Sequence, residues 1–136
     1  MDGGSTAFFC FNVLKAIGKS EYALSVAFVS SRMMQSFNDR YLQRKYPTDV
    51  LSFDYSGTAI DGNPFMGEIL ISPEVAAQNA KSYHMHPDRE VKKLLIHGIL
   101  HLAGYNHETD DGNMQRLQKK LMRRSFVKNA SAIIKI

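Results

Sequence analysis

The sequence predicts an α+β fold in which a small mixed β-sheet is packed with about five helices. Three observations carry that expectation. The hydrophobic period changes along the chain in the order helix, strand, helix, strand, strand and then three helices. The 136 residues are 44% apolar and 22% charged, ordinary values for one unit large enough to bury a core. No repeat, low-complexity tract or linker divides them, so 1–136 is read as a single domain.

Residues 6–18 have helical spacing on a mixed face. Tyr22 to Val29 (YALSVAFV) is rich in β-formers and bounded by polar residues, which suits a strand. Ser30-Ser31 can cap a helix through Met33, Met34, Phe37 and Tyr41, four residues spaced as a core-facing stripe. Pro47 ends that helix, and Val50 to Tyr55 alternates like a strand. Gly57, Asp61-Gly62 and Asn63-Pro64 make 56–64 a turn-rich connection. The strand from Gly67 to Ser72 is therefore expected to close a hairpin with a long loop. Ser72-Pro73 begins a helix with a capping residue and a proline at its first position. Pro87-Asp88 opens the next, with Val91, Leu94, Leu95, Ile99 and Leu102 on one broad face. Asp110-Asp111 lead into the last, with Met114, Leu117, Leu121 and Met122 inward.

Charge and cysteine narrow the function classes. The formal net charge is +4, and no acidic residue follows Asp111. The same stretch holds Arg116, Lys119, Lys120, Arg123 and Arg124, then Lys128 and Lys135 in a basic tail over 126–136. Such a face attracts a polyanion, most commonly nucleic acid; a solvated basic helix with no partner is the plain alternative. Cys10 stands alone, which excludes an internal disulfide and a thiolate zinc cage and suits a reducing cytosol. No apolar run approaches the ~20 residues of a membrane span. The start, Met1-Asp2-Gly3-Gly4, has no basic n-region, so no secretory signal is expected.

The chemistry concentrates in His97-Gly98-Ile99-Leu100-His101-Leu102-Ala103-Gly104-Tyr105-Asn106-His107, an H-x-x-x-H-x-x-G-x-x-H string. Two histidines four apart on a helix are about 40° apart around its axis and roughly 6 Å along it, close enough to share an ion. Gly104 can adopt the left-handed conformation that ends a helix and returns His107 from a third direction. Three neutral imidazoles with one vacant position describe a catalytic zinc site better than a structural one, on a metal helix like that of the zincins. The zinc-protease version of the string has glutamate after the first histidine as general base, and here that residue is Gly98. His84 and His86 are read as exposed loop residues. Glu108, Asp110 and Asp111 could accept from ligand ring N–H groups or simply favour a helix N-terminus.

Together with Pro47-Thr48-Asp49-Val50-Leu51-Ser52-Phe53 and Gly67-Glu68-Ile69, that string resembles the YbeY family of bacterial endoribonucleases. The likeness covers roughly residues 22–125 and leaves 1–21 as a divergent or shortened start. The resemblance implies a single zinc ion on His97, His101 and His107. It implies single-strand-specific cleavage in ribosomal RNA maturation and ribosome quality control, with ribosomal RNA and ribosome assembly intermediates as partners in the cytoplasm. Where the family often has an arginine after the aromatic residue matched by Tyr41, this chain has Leu42, flanked at two residues' distance by Arg40 and Arg44. Arg44 is the candidate substitute. Thr48 and Asp49 either line the metal cleft, with Asp49 accepting a proton or holding a ligand ring, or form the turn that starts the strand. Arg116, Lys119, Lys120, Arg123 and Arg124 are the candidate RNA-backbone contacts. A non-catalytic, zinc-stabilised RNA-binding assembly factor and a metallohydrolase of another substrate class are the alternatives.

Overall fold

A computed structural model describes residues 3–42, 48–105, 111–124 and 127, the side chains of Tyr41 and Leu42 excepted. The element order is α1 (Gly3–Ala16), β1 (Ala23–Phe28), α2 (Ser31–Leu42), β2 (Val50–Ile60), β3 (Asn63–Ile71), α3 (Pro73–Ser82), α4 (Pro87–Leu102) and α5 (Asn113–Met122). The α+β architecture is thus the predicted one. The strands form one mixed sheet in the order β1-β3-β2, with β1 parallel to β3 and β2 antiparallel to it.

Period-2 alternation along β3 assigns the two faces of the sheet. Ile69 and Ile71 join the larger apolar cluster with α1, α4 and α5. Leu70, between them, faces the other way and meets Met34 of α2 and Leu51 of β2. The sheet is therefore covered on both faces, by α4 with α1 and α5 on one and by α2 on the other. Side-chain devices start α2 and α3. Ser30 Oγ accepts from the Met33 N–H at 3.1 Å, and the Glu74 carboxylate accepts from both the Ser31 N–H (3.0 Å) and the Ser31 hydroxyl (3.1 Å). Ser72 Oγ caps α3 through the Val75 N–H at 3.3 Å, with Pro73 in the first turn. Burial of the Cys10 side chain pushes its thiol up to about 12, so it stays protonated at neutral pH and is no nucleophile.

Two expectations are corrected. The hairpin does not have a long loop: Ile60 pairs with Asn63, leaving only Asp61-Gly62 at the turn, with φ of 50° and 80°. Both positive values belong to the type I′ turn that matches strand twist. The glycine at 57 (φ 89°) instead sits in an irregularity between Asp54 and Thr58, where the register shifts. Stacking of Tyr55 on Phe65, centroids 5.3 Å apart, spans this irregular stretch. Met33 is also not a core residue: it is 49% exposed, while Met34 is fully buried and Phe37 partly so. The α2 stripe is narrower than its spacing suggests because only one ridge of the helix meets the sheet.

Candidate metal centre and basic groove

The position of α4 decides what its histidines can do. Gly98 and Leu102, one turn apart, form the ridge that lies on the sheet. A Cβ built on Gly98 would meet Ile69 Cδ1 at 2.8 Å and Ser52 Oγ at 3.2 Å. A Cβ on Gly67 of β3 would meet both Leu102 methyls at 3.1 Å and the Phe53 carbonyl oxygen at 2.2 Å. Both glycines therefore let helix and sheet approach closely. They also explain two sequence motifs at once, the glycine of the Gly67-Glu68-Ile69 block and the glycine within the histidine string. Position 98 points into Ile69 and is fully covered, so a glutamate there would have no room. The absent protease base is a packing contact.

His97 and His101 each precede a residue of that ridge and so emerge about 100° around the axis, beside the sheet. His101 is exposed in the last turn, and His97 is half-buried. The helix ends as expected. Gly104 has φ 104°, its N–H donates to His101 O at 3.2 Å, and the Tyr105 N–H donates to Leu100 O at 3.1 Å. This pairing is the Schellman arrangement that turns the chain back at a helix end. His107, the predicted third ligand, lies outside the described residues, as do Asn106, Glu108 and Asp110. Among the described residues no three His, Cys, Asp or Glu side chains converge on one point.

The donor chemistry of the described pair nonetheless suits a borderline divalent cation. Neutral imidazoles one turn apart can share an ion, and the carbonyl end of α4 favours positive charge. A further contact orients one ring: His97 Nδ1 lies 3.0 Å from Gln118 Oε1 on α5. An amide oxygen can only accept, so Nδ1 carries the proton and the lone pair falls on Nε2. Gln118 was not a sequence candidate because nothing in a glutamine on a basic helix signals it; only packing of α5 on α4 reveals it.

Asp54 of β2 is a second group that sequence reading missed. Hydrogen bonds from the Ser56 backbone, 2.7 Å from Oδ1, and from the Ser56 side chain hold its carboxyl below the usual range. The nearby His101 adds a smaller electrostatic lowering. An ionised carboxylate thus stands within electrostatic reach of the exposed histidine.

The remaining predicted residues are dispersed. Asp49 Oδ2 accepts from Asn79 Nδ2 of α3 at 3.0 Å, and the Asp49 carbonyl accepts from the Ser72 N–H at 3.0 Å. Arg44 lies outside the described residues, and α2 ends at Leu42. His84 is an exposed turn residue with φ 55°, but His86 is more than a loop residue. It is the N-cap of α4, its Nδ1 accepting from the Asp88 N–H at 3.1 Å. Arg116, Lys119, Lys120, Arg123 and Arg124 are all exposed, and their i, i+3, i+4, i+7, i+8 spacing follows one side of the helix and its end. Lys119 and Arg123 share a groove with Arg89 and Lys93 of α4, whereas Arg116 is bonded to Asn113 Oδ1 at 2.5 Å. Lys128 and Lys135 of the tail lie outside the described residues.

Comparison with known proteins finds relatives of the chain in one family. The family described as Endoribonuclease YbeY matches residues 8–125. An Endoribonuclease YbeY from Thermodesulfovibrio yellowstonii is 40% identical over 96 residues, covering 71% of this chain and 60% of that protein. One from Borreliella afzelii is 34% identical over 125 residues, covering 86% of this chain and 82% of its own length. The solution structure of the Thermotoga maritima protein TM1509 superposes with a TM-score of 0.63 at 28% identity, covering all of this chain and 95% of the other.

Proposed function

Because the chain belongs to the Endoribonuclease YbeY family, we propose that it is a zinc-dependent endoribonuclease. Its substrate is single-stranded ribosomal RNA, cut during maturation and in ribosome quality control, which places its work in the cytoplasm with ribosome assembly intermediates. The observation that carries the reading is His97 and His101 one turn apart, with the Nδ1 proton of His97 directed at Gln118. His97, His101 and His107 would hold one ion. An ion held there would supply Lewis-acid stabilisation of a phosphoryl oxygen and would ease deprotonation of an attacking water.

The protein's own residues do the rest. Gln118 keeps the His97 lone pair on Nε2. Asp54, ionised and near His101, favours positive charge at that end of α4. Asp49 acts through position, since its carboxylate already binds Asn79 of α3. Arg44 supplies the cation that Leu42 does not. The basic charge around α5 attracts the RNA backbone, so affinity falls with salt and shows little sequence preference.

The test is a cleavage assay on single-stranded and duplex ribosomal RNA fragments with zinc-loaded protein. Cutting of the single-stranded fragments should stop on chelation and return with zinc. Cleavage that survives chelation would sink the zinc mechanism. Binding without cleavage under every condition would favour the assembly factor instead.

Orientation of His97 gives a separate expectation. Gln118→Ala should weaken zinc binding about 10- to 100-fold, the usual loss when a ligand histidine loses its hydrogen-bond acceptor. Gln118→Glu should restore it, because a carboxylate accepts from the same Nδ1–H. Chelator competition measures both, and unchanged affinity in Gln118→Ala would show that Gln118 does not orient the ligand.

A further inference from the structure

Between α4 and α5 runs a groove of about 410 Å³. Its cations come in two pairs, Arg89 with Lys93 on α4 and Lys119 of α5 with Arg123, the C-cap of that helix. Each pair has i,i+4 spacing, so each forms one ridge, and the two ridges face the same groove. Among the described residues no carboxylate lines it; the other lining groups are Met85, Met122 and the amides of Gln115 and Gln118. One acid lies nearby. The Glu90 carboxylate, whose residue is 1% exposed, reaches Lys93 Nζ at 3.0 Å. Lys93 Nζ also sits 5.2 Å from the centroid of Tyr83, a ring 62% exposed. Lys93 is thus held in place between a buried carboxylate and an aromatic ring, and the rim of the groove carries an open aromatic surface.

Four cations along one groove, without a carboxylate among its described lining residues, suit an anion, and their two-ridge spacing suits successive charges better than one. Cations along a groove with an exposed aromatic ring beside it are the combination that single-stranded nucleic acid uses. We propose that this groove seats the sugar-phosphate backbone of single-stranded RNA flanking the cut site, with Tyr83 offering a stacking surface to a base. Gln118 connects it to the chemistry, lining the groove and bonding His97 Nδ1. The groove therefore lies on the Nδ1 side of His97, behind the ligand face, and holds a stretch of strand distinct from the scissile phosphate. This inference rests on the reading of single-stranded RNA as substrate. It also selects Lys119 and Arg123 from the exposed basic residues of α5 and adds Arg89 and Lys93.

Binding, measured apart from cleavage, tests it. Fluorescence anisotropy with a labelled oligouridylate would follow Kd at several salt concentrations for the wild-type chain in its chelated form. The Lys119→Ala/Arg123→Ala variant is expected to bind roughly tenfold more weakly, with a salt slope shallower by about 1.4 for two lost phosphate contacts. Arg89→Ala should weaken binding in the same way. Lys120→Ala and Arg116→Ala remove equal charge from outside the groove and should change Kd less than about twofold. Equal losses in the two sets would mean diffuse surface charge and overturn the groove. So would an unchanged slope in Lys119→Ala/Arg123→Ala. If the wild type binds through the groove but never cuts, the nuclease reading fails while the groove stands. All substituted side chains are exposed, and circular dichroism confirms folding.

Discussion

Replacing His101 with alanine is expected to abolish RNA cleavage and zinc uptake while leaving the fold and RNA affinity near wild type. His101 is exposed in the last turn of α4, so truncation opens no cavity and breaks no core contact. Its loss should lower zinc affinity beyond the roughly 100-fold upper range for an outer-sphere partner, because it removes a donor atom itself. Cleavage should fall about 10³-fold or more, since Lewis-acid stabilisation of a phosphoryl transition state is worth several kcal/mol. The paired readouts are single-turnover cleavage and chelator competition. Cleavage within tenfold of wild type, with zinc affinity unchanged, would remove His101 from the metal site. His97→Ala is a less clean substitution because that ring is half-buried and bonded to α5.

Gly67→Ala is expected to be the most destabilising single-methyl substitution considered for this chain, at about 3 kcal/mol or more. The new Cβ would stand 2.2 Å from the Phe53 carbonyl oxygen, a backbone atom in the paired strand that cannot move without breaking the β2–β3 ladder. It would also press on Leu102 and lift the C-terminal turn of α4 away from the sheet. Thermal denaturation should show a fall in Tm of about 10 °C. Gly98→Ala is the calibrating control. There the closest atom, Ile69 Cδ1 at 2.8 Å, is the end of a side chain. The strain is also offset by the roughly 1 kcal/mol that alanine gains over glycine in a helix. A larger loss for Gly98→Ala than for Gly67→Ala would contradict this account of how α4 is seated.

Much of this was legible in local pattern. The capping serines, the prolines opening α3 and α4, and the left-handed Gly104 all act within a few residues, so sequence reading found them. The hairpin was misread because Gly57 and Asp61-Gly62 send the same turn signal. Which one turns the chain depends on how β2 and β3 align along their whole length. Met33 and Met34 are likewise equivalent by composition, and only the angle at which α2 meets the sheet separates them.

By itself the sequence determined the α+β class, the family, and a histidine pair at the carbonyl end of a helix. Each is encoded by residues close together in the chain or by whole blocks with a distinctive order. Tertiary structure alone decided which atoms surround that pair. Gln118 meets His97 across 21 residues, Asp54 reaches His101 from another element, and Arg89 and Lys93 join Lys119 and Arg123 across a helix pair. Hydrogen bonds and charges act over a few ångströms of space and carry no periodic trace in the sequence. The glycine where a protease has its base acquired its meaning the same way, from the isoleucine of the sheet packed against it.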